Sequence, residues 1–517
     1  MGNPKITCLL FFTVIVLSGF MSCQKEIKEA NLALVPWPQD IEISSETNII
    51  GTDLLFVNHS DDSGVEGIIR TCINDFEEIG FRVYADQSGN PGFYNVTQVN
   101  LILEKDGSGN YGEEGYRLNV DKDISVYAAT TAGLFWGTRT VLQLLQSGPD
   151  IRVPVMDISD YPAFDYRGFM IGVDRQFHTM DFHLQTLKKV SAYKLNHYMI
   201  HFSGRDSYTL PSDLYPELPA PGKHYTKEEI RELVETASEY NITIVPSVDV
   251  PGHTGALINA IPELNFDERR RSLNIAREET YDIIQNIFEE LMELFPGPIW
   301  HLGADEVRYP DLADSPDKEY TEWMKKNNMT KGSQALNYFI NRMYDFIKGK
   351  GYRMFVWEGF DPQVEPKVNT EIIVCPFDIK FEGKMPRDYM DAGYSLLNTS
   401  WSPLYIANKT SMTPPETIAK WNAFMFGAGR SPQPFRYWEK FSPEEIPTEI
   451  VGAQMCVWDI EEKAEWGLLF GGNEGPGFPD YGRPGPRLQI YSERIWTGEK
   501  TTAKDLLERT GAAYWDY

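Results

Sequence analysis

From about Asp165 onward, short apolar runs alternate with stretches whose apolar residues recur every three or four positions. The runs are Tyr166–Val173, Asn196–Phe202, Ile242–Val250, Pro298–Val307, Arg353–Phe360, Glu371–Phe377, Tyr394–Trp401 and Ile450–Trp458. Runs of this length, rich in β-branched and aromatic residues, predict buried strands. The stretches between them predict helices at Asp181–Tyr193, Thr226–Tyr240, Glu278–Leu294 and Gln334–Lys348. The second opens with Thr226-x-x-Glu229, a capping box. The third sets Ile284, Ile287, Phe288, Leu291 and Phe295 at helical spacing. Eight strands alternating with helices predict a (β/α)8 barrel.

The pattern before this differs. Strands are predicted at Leu54–Val57, Val99–Leu103, Tyr116–Val120 and Ile124–Ala128, with helices at Gly67–Glu78 and Thr131–Gln146. The fold class is therefore α/β, a (β/α)8 TIM barrel catalytic domain (161–517) preceded by a small α+β N-terminal domain (23–160). No catalytic cluster is evident in the smaller domain. Residues 1–22 hold one lysine, Lys5, and then the uncharged apolar run Ile6–Phe20, the pattern of a secretory leader rather than a membrane span. Ser22 precedes Cys23, and the stretch resembles a bacterial lipoprotein signal in which Cys23 carries the lipid. The alternative is an ordinary cleaved leader with an incidental cysteine. The lipoprotein expectation places the protein outside the cytoplasm, periplasmic or on the cell surface of a Gram-negative bacterium and anchored in the outer membrane. Gln24-Lys25-Glu26 resembles the export signal of surface lipoproteins.

Composition narrows the partners. A net charge of −27 over 517 residues argues against nucleic acid, which requires a basic footprint. The five cysteines form no CxxC pair or Cys/His cluster, so no structural zinc is expected. An aromatic share of 13% leaves rings to spare for a sugar-binding cleft.

In a barrel, ligands bind at the C-terminal ends of the strands. The third strand leads to Asp249 and His253, the fourth to His301, Asp305 and Glu306, and the fifth to Trp357-Glu358. The seventh leads to Trp401 and Tyr405, and the eighth to Trp458-Asp459. Arg167 comes from the first. Each has a plainer reading: a surface ion pair for Arg167, a turn histidine for His253, barrel core for the tryptophans, a solvated turn or metal site for Asp305-Glu306. Their recurrence at successive strand ends favours a site, and its composition suits a sugar.

Most glycosidases place two carboxylates on opposite sides of the scissile bond. Adjacent residues on a strand face opposite ways, so Asp305 and Glu306 do not make that pair. The seventh strand, LLNTSW, supplies no carboxylate nucleophile. The substrate's own 2-acetamido oxygen can take that role, leaving the enzyme one acid and one carboxylate that orients the acetamide.

The stretch HLGADEV at 301–307 resembles the H-x-G-x-D-E signature of the family 20 glycoside hydrolases, the β-N-acetylhexosaminidases. VPWPQDIEI near 35, EGYRLNV at 114–120, AGLFWGTRTVLQLL at 132–145, YRGFMIGVDR at 166–175, VPSVDVPGHTGA at 245–256 and PRLQIYSERIW at 486–496 extend it over nearly the whole mature chain. The resemblance implies an exo-acting enzyme that removes terminal β-linked GlcNAc or GalNAc with retention, without metal or organic cofactor, on an oligosaccharide or glycan substrate. It implies Glu306 as acid/base and Asp305 as the acetamide-orienting residue. It implies Arg167 for the outer hydroxyls, Asp249 and His253 as support for the acid, and Tyr405 for the acetamide oxygen. Trp357, Trp401 and Trp458 are the implied aromatic box.

Departures from the family stand out. Its H-W-H-x-x-D-D-Q stretch reads MIHFSGRD at 199–206, which keeps His201 and loses the paired acids, with Asp206 one candidate substitute. Gly172 and Gln176 stand where Asp and His are usual. Ile460 occupies the place of a hydroxyl-binding Glu, with Glu461 one residue late. These changes admit a disaccharide or sulfated amino sugar as substrate, or a glycan-binding lipoprotein without turnover.

Overall fold

The structure is a computed structural model. It describes residues 27–30, 32–86, 96–104, 112–267, 272–378, 384–407, 411–428, 436–442, 444, 449–460 and 486–512.

Eight parallel strands close into a barrel: β1 (Tyr166–Gly172), β2 (His197–Ser203), β3 (Thr243–Val248), β4 (Ile299–His301), β5 (Arg353–Trp357), β6 (Ile373–Cys375), β7 (Ser395–Asn398) and β8 (Ile450–Trp458). Each pairs with the next, and β8 pairs back onto β1 with Gly452 opposite Tyr166 and Val457 opposite Ile171. Closure removes both sheet edges. Alternate positions along the strands point inward. Tyr166, Met170, Met199, Val245, Ile299, Phe355, Ile373, Leu397 and Cys456 fill the interior as a core of their own. The outward-facing positions pack against the surrounding helices in a second, larger core.

The helices follow their caps. α1 (Met180–Ala192) opens on Thr179, whose side chain accepts from the Phe182 amide. α2 (Lys227–Glu239) has the full capping box of Thr226 and Glu229. α3 (Glu278–Met292) buries Ile284, Ile287, Phe288 and Leu291 against the barrel, as their spacing requires.

The N-terminal domain is a mixed sheet with two helices, Ser63–Glu78 and Thr131–Leu145. The strands Tyr116–Val120 and Ile124–Ala128 fall where the sequence predicts them. Two long strands, Asp40–Ile50 and Ile151–Asp160, escape it. The first is exposed along most of its length, and the second carries Pro154 at an irregularity of their pairing.

The two domains are joined beneath the N-terminal ends of the barrel strands. Arg167, fully buried, donates to both oxygens of Glu114 at 2.7 and 2.8 Å and to the carbonyls of Lys194 and Phe164. Burial opposes the charge of Glu114, but Arg167 outweighs it and holds this carboxyl below the usual range. Lys194, also buried, donates to Asp160 and Tyr116 at 2.8 Å. The motif around Glu493 closes the same junction: Glu493 accepts from the Trp37 amide and pairs with Arg509.

This placement corrects one expectation. Arg167 is the second residue of β1, and five residues of strand, about 16 Å, separate it from Gly172 at the strand's other end. It holds the domains together and does not reach the cleft.

Candidate active site

The fourth strand is shorter than its apolar run suggests. It ends at His301, and Gly303, Ala304 and Glu306 have φ of 81°, 74° and 52°. Gly303 is obligatory: a Cβ there would lie 2.1 Å from Asp249 Oδ1. The alternation argued for Asp305 and Glu306 therefore does not apply, because neither lies on a strand. The turn brings both to one imidazole. His253 Nε2 is 3.6 Å from Asp305 Oδ2 and 3.5 Å from Glu306 Oε2.

His253, itself at φ 53°, follows β3. Burial works against its charge, but Asp305, Asp249 and Glu306 outweigh burial and raise it to about 10. It is an imidazolium at neutral pH, one positive charge between two carboxylates. Behind it, Asp249 is 4% exposed, and burial together with Asp305 pushes its carboxyl well above the usual range. His201 Nε2 lies 3.8 Å from Asp249 and 3.9 Å from Asp174. Burial lowers His201 to about 3, so it stays neutral. The donor atoms of Asp249, His253 and Asp305 lie within 4.8 Å of one another, close enough to hold a cation. The imidazolium already supplies a positive charge among them.

The rest of the rim is aromatic. Trp401 stacks on Tyr405 at 5.1 Å, Phe377 lies parallel to Tyr405, and Trp458 approaches Trp357, Tyr405 and His201. Trp357, Tyr405 and Phe377 are also the top layer of the barrel's inner core. Their rings are thus fixed from below while one face borders the cavity. That cavity holds about 220 Å³ and is lined by Asp305, Glu306, His253, Asp249, His201, Asp174, Arg175 and the aromatic wall.

Of the residues expected here, Asp249, His253, Asp305, Glu306, Trp357, Trp401, Tyr405 and Trp458 meet around this cavity. Arg167 does not, and Glu461 lies outside the described residues. The arginine at the rim is Arg175, three residues beyond β1. It bonds Asp459 at 3.0 Å and lies 3.6 Å from Asp206 and 4.0 Å from Asp174. Sequence reading missed Arg175, Asp174 and Phe377, although all three directly follow predicted strands. Glu358, named only as a strand end, is 5% exposed, accepts from the Asp378 amide and is raised by burial to about 8.

Backbone strain gathers at this end of the barrel. Four of the eight described non-glycine residues with left-handed backbone are His253, Ala304, Glu306 and Asp459. Such strain persists where surrounding structure imposes it, as at functional sites. Polar atoms here are also left over: among the described residues, Asp249 Oδ1, Asp305 Oδ1 and Trp458 Nε1 are buried without a hydrogen-bond partner. Unspent buried acceptors and donors are expected where a ligand supplies the partner.

A closed (β/α)8 barrel with paired carboxylates after the fourth strand and an aromatic wall defines a protein of the glycoside hydrolase class. Comparison with known proteins specifies it. Residues 164–465 match the model of "Glycosyl hydrolase family 20, catalytic domain", and residues 31–161 match "Glycosyl hydrolase family 20, domain 2". The chain belongs to glycosyl hydrolase family 20. It is similar to a β-hexosaminidase of Vibrio furnissii (30% identity over 51% of this chain and 48% of that protein). It is also similar to a lacto-N-biosidase of Bifidobacterium bifidum (24% identity over 70% of this chain and 32% of that protein). The chain thus spans half or less of the length of these relatives. Its fold matches the family 20 exo-β-N-acetylglucosaminidase of Vibrio harveyi, solved with N-acetylglucosamine, at a TM-score of 0.74 over 95% of this chain and 79% of that one, with 20% identity.

Proposed function

We propose that the protein is an exo-acting β-N-acetylhexosaminidase that removes terminal β-linked GlcNAc or GalNAc from glycans with retention. One observation carries this reading. Asp305 and Glu306 share one imidazolium, Asp305 Oδ1 is left buried without a partner, and the wall beyond β7 is aromatic instead of carboxylate. That arrangement suits an acetamide nucleophile. Asp305 accepts the acetamide N–H and aims the carbonyl oxygen at the anomeric carbon. As that C–O bond forms, the glycosidic bond breaks and Glu306 delivers its proton to the leaving oxygen. Water then attacks the oxazolinium intermediate, giving its proton to Glu306 and restoring the acetamide. His253 keeps the two carboxylates at one place in both steps. Trp357, Trp401, Tyr405 and Trp458 provide faces for the ring and the acetamide methyl.

A cavity of about 220 Å³ is small against the ~300–1,000 Å³ of pockets for larger ligands. It favours one sugar over a disaccharide. Five carboxylates against Arg175, Arg205 and His253 along its lining disfavour a sulfated sugar. The test is release of 4-nitrophenol from its β-GlcNAc and β-GalNAc glycosides. Release suppressed by a thiazoline that mimics the oxazolinium supports the proposal. Release that ignores the thiazoline and survives Glu306→Gln refutes it.

The leader pattern supports export and lipid anchorage at Cys23. Radiolabelled palmitate incorporated by the wild type and lost with Cys23→Ala is the expected result. Labelling unaffected by the substitution would refute anchorage.

A further inference from the structure

At one corner of the cavity a carboxylate stands where its neighbours give it nothing to bond. Asp174 is 5% exposed and lines the cavity, yet its carboxylate accepts no hydrogen bond among the described residues. The nearest donors are His201 Nε2 at 3.9 Å and Arg175 Nε at 4.0 Å, both too far. A desolvated carboxylate with all its acceptor capacity unspent is costly. Burial raises it to about 6, against the pull of Arg175 and with the help of Asp459 and Asp206.

The same place explains Gly204. A Cβ on Gly204 would lie 2.5 Å from Asp174 Oδ2 and 2.9 Å from His201 Nε2. A side chain at 204 and the carboxylate of Asp174 therefore compete for one volume. In the family pattern H-W-H-x-x-D-D-Q, with His201 as the third anchor, the first of the paired acids falls at Gly204. The acid absent from the β2 loop is present in the same space, carried by the turn after β1. Asp206, the candidate substitute from sequence, is 44% exposed at its side chain and paired with Arg205 and Arg175 instead.

We propose that Asp174 is a specificity-determining residue, exchanged for the acid missing at 204, whose carboxylate accepts an outer ring hydroxyl of the terminal sugar beside Arg175. This rests on the N-acetylhexosaminidase reading. A sugar O–H supplies the absent donor, and Arg175, held by Asp459, offers its remaining N–H groups to a neighbouring hydroxyl.

The test is calorimetric binding of the GlcNAc-derived thiazoline and its 3-, 4- and 6-deoxy analogues to the full chain. In the wild type, one of the three deletions should weaken binding roughly 10- to 100-fold, as expected of a hydrogen bond to a charged group. In Asp174→Ala and Asp174→Asn that same deletion should cost less than about 3-fold. The double variant Asp174→Ala/Gly204→Asp should recover the discrimination, while Gly204→Asp alone, forced against Asp174, should bind weakly. Deletion costs that are equal in wild type and both Asp174 variants overturn the proposal, as does a double variant no more discriminating than Asp174→Ala. Wild type that binds none of the thiazolines refutes the substrate reading, and this inference with it. Asp174→Asn keeps the side-chain shape, so its thermal melt separates lost recognition from lost folding.

Discussion

The two ends of the barrel's first strand carry two arginines, and they live by different rules. At the lower end Arg167 is fully buried, paired with both oxygens of Glu114 and bonded to two carbonyls. Lys194, beside it, is equally provided for. Beyond the upper end Arg175 is part-exposed among three acids, and around it Asp174, Asp249, Asp305 and Trp458 keep polar atoms unspent. The lower end uses its charges on itself and holds two domains together. The upper end keeps its charges for a ligand, at some expense in stability. The same residue type in the same strand thus means structure at one end and recognition at the other, and polar satisfaction tells them apart.

Substitutions should separate the ends. The largest effect expected is on turnover at the top. Glu306→Gln should lower kcat by about 10²- to 10⁴-fold, the worth of a general acid, with an unchanged urea midpoint. A lowered midpoint would make Glu306 a structural residue like those below. Next comes the bottom. Arg167→Met leaves Glu114 buried and unpaired and should remove about 3–5 kcal/mol of stability, read by urea unfolding, while the folded fraction keeps its kcat. Loss of turnover at full stability would put Arg167 back in the cleft.

The third expectation concerns pH. His253 has a folded value of about 10 against 6.5 unfolded. A raised value means that its contribution is complete below about pH 6.5 and is lost as pH rises through about 10. Wild-type stability should fall over that window by about one to a few kcal/mol, and His253→Gln should flatten this part of the profile. The smallest effect carries the opposite sign. Asp174, raised to about 6 from 3.8, pays for its ionisation above that value. Its penalty is absent below about pH 4 and complete above about pH 6. Asp174→Asn should therefore gain about 1–2 kcal/mol at pH 7, read as a higher melting temperature, while losing discrimination among ligand hydroxyls. A melting temperature lowered at pH 7 would contradict the picture of an unspent carboxylate.

Much of this was legible in the chain. Strands of a parallel barrel are buried on both faces and read as continuous apolar runs, so all eight could be located, and Ile450–Trp458 falls on its predicted limits. Their ends were harder to place. Pro298–Val307 reads as one run, but left-handed residues from Gly303 onward turn the chain out of the sheet and carry both carboxylates to His253. Arg167 and Arg175 sit in one motif, YRGFMIGVDR, and composition does not rank them. Counting the rise of the strand does, since only residues past Gly172 reach the upper rim. The exchange of Asp174 for an acid at 204 is invisible in sequence because the two positions are 30 residues apart and meet only through the pairing of β1 with β2. The N-terminal strand Asp40–Ile50 lacks the alternation by which a half-buried strand is recognised.

The most direct measurement of the central claim varies the substrate's own nucleophile. 4-Nitrophenyl β-glucosaminides bearing acetyl, fluoroacetyl, difluoroacetyl and trifluoroacetyl groups on nitrogen differ chiefly in the electron density of the acyl oxygen. If that oxygen attacks the anomeric carbon while Asp305 holds the N–H and Glu306 protonates the leaving group, kcat/KM should fall steeply with each added fluorine. A rate indifferent to fluorination would mean that another group attacks, and would contradict the account.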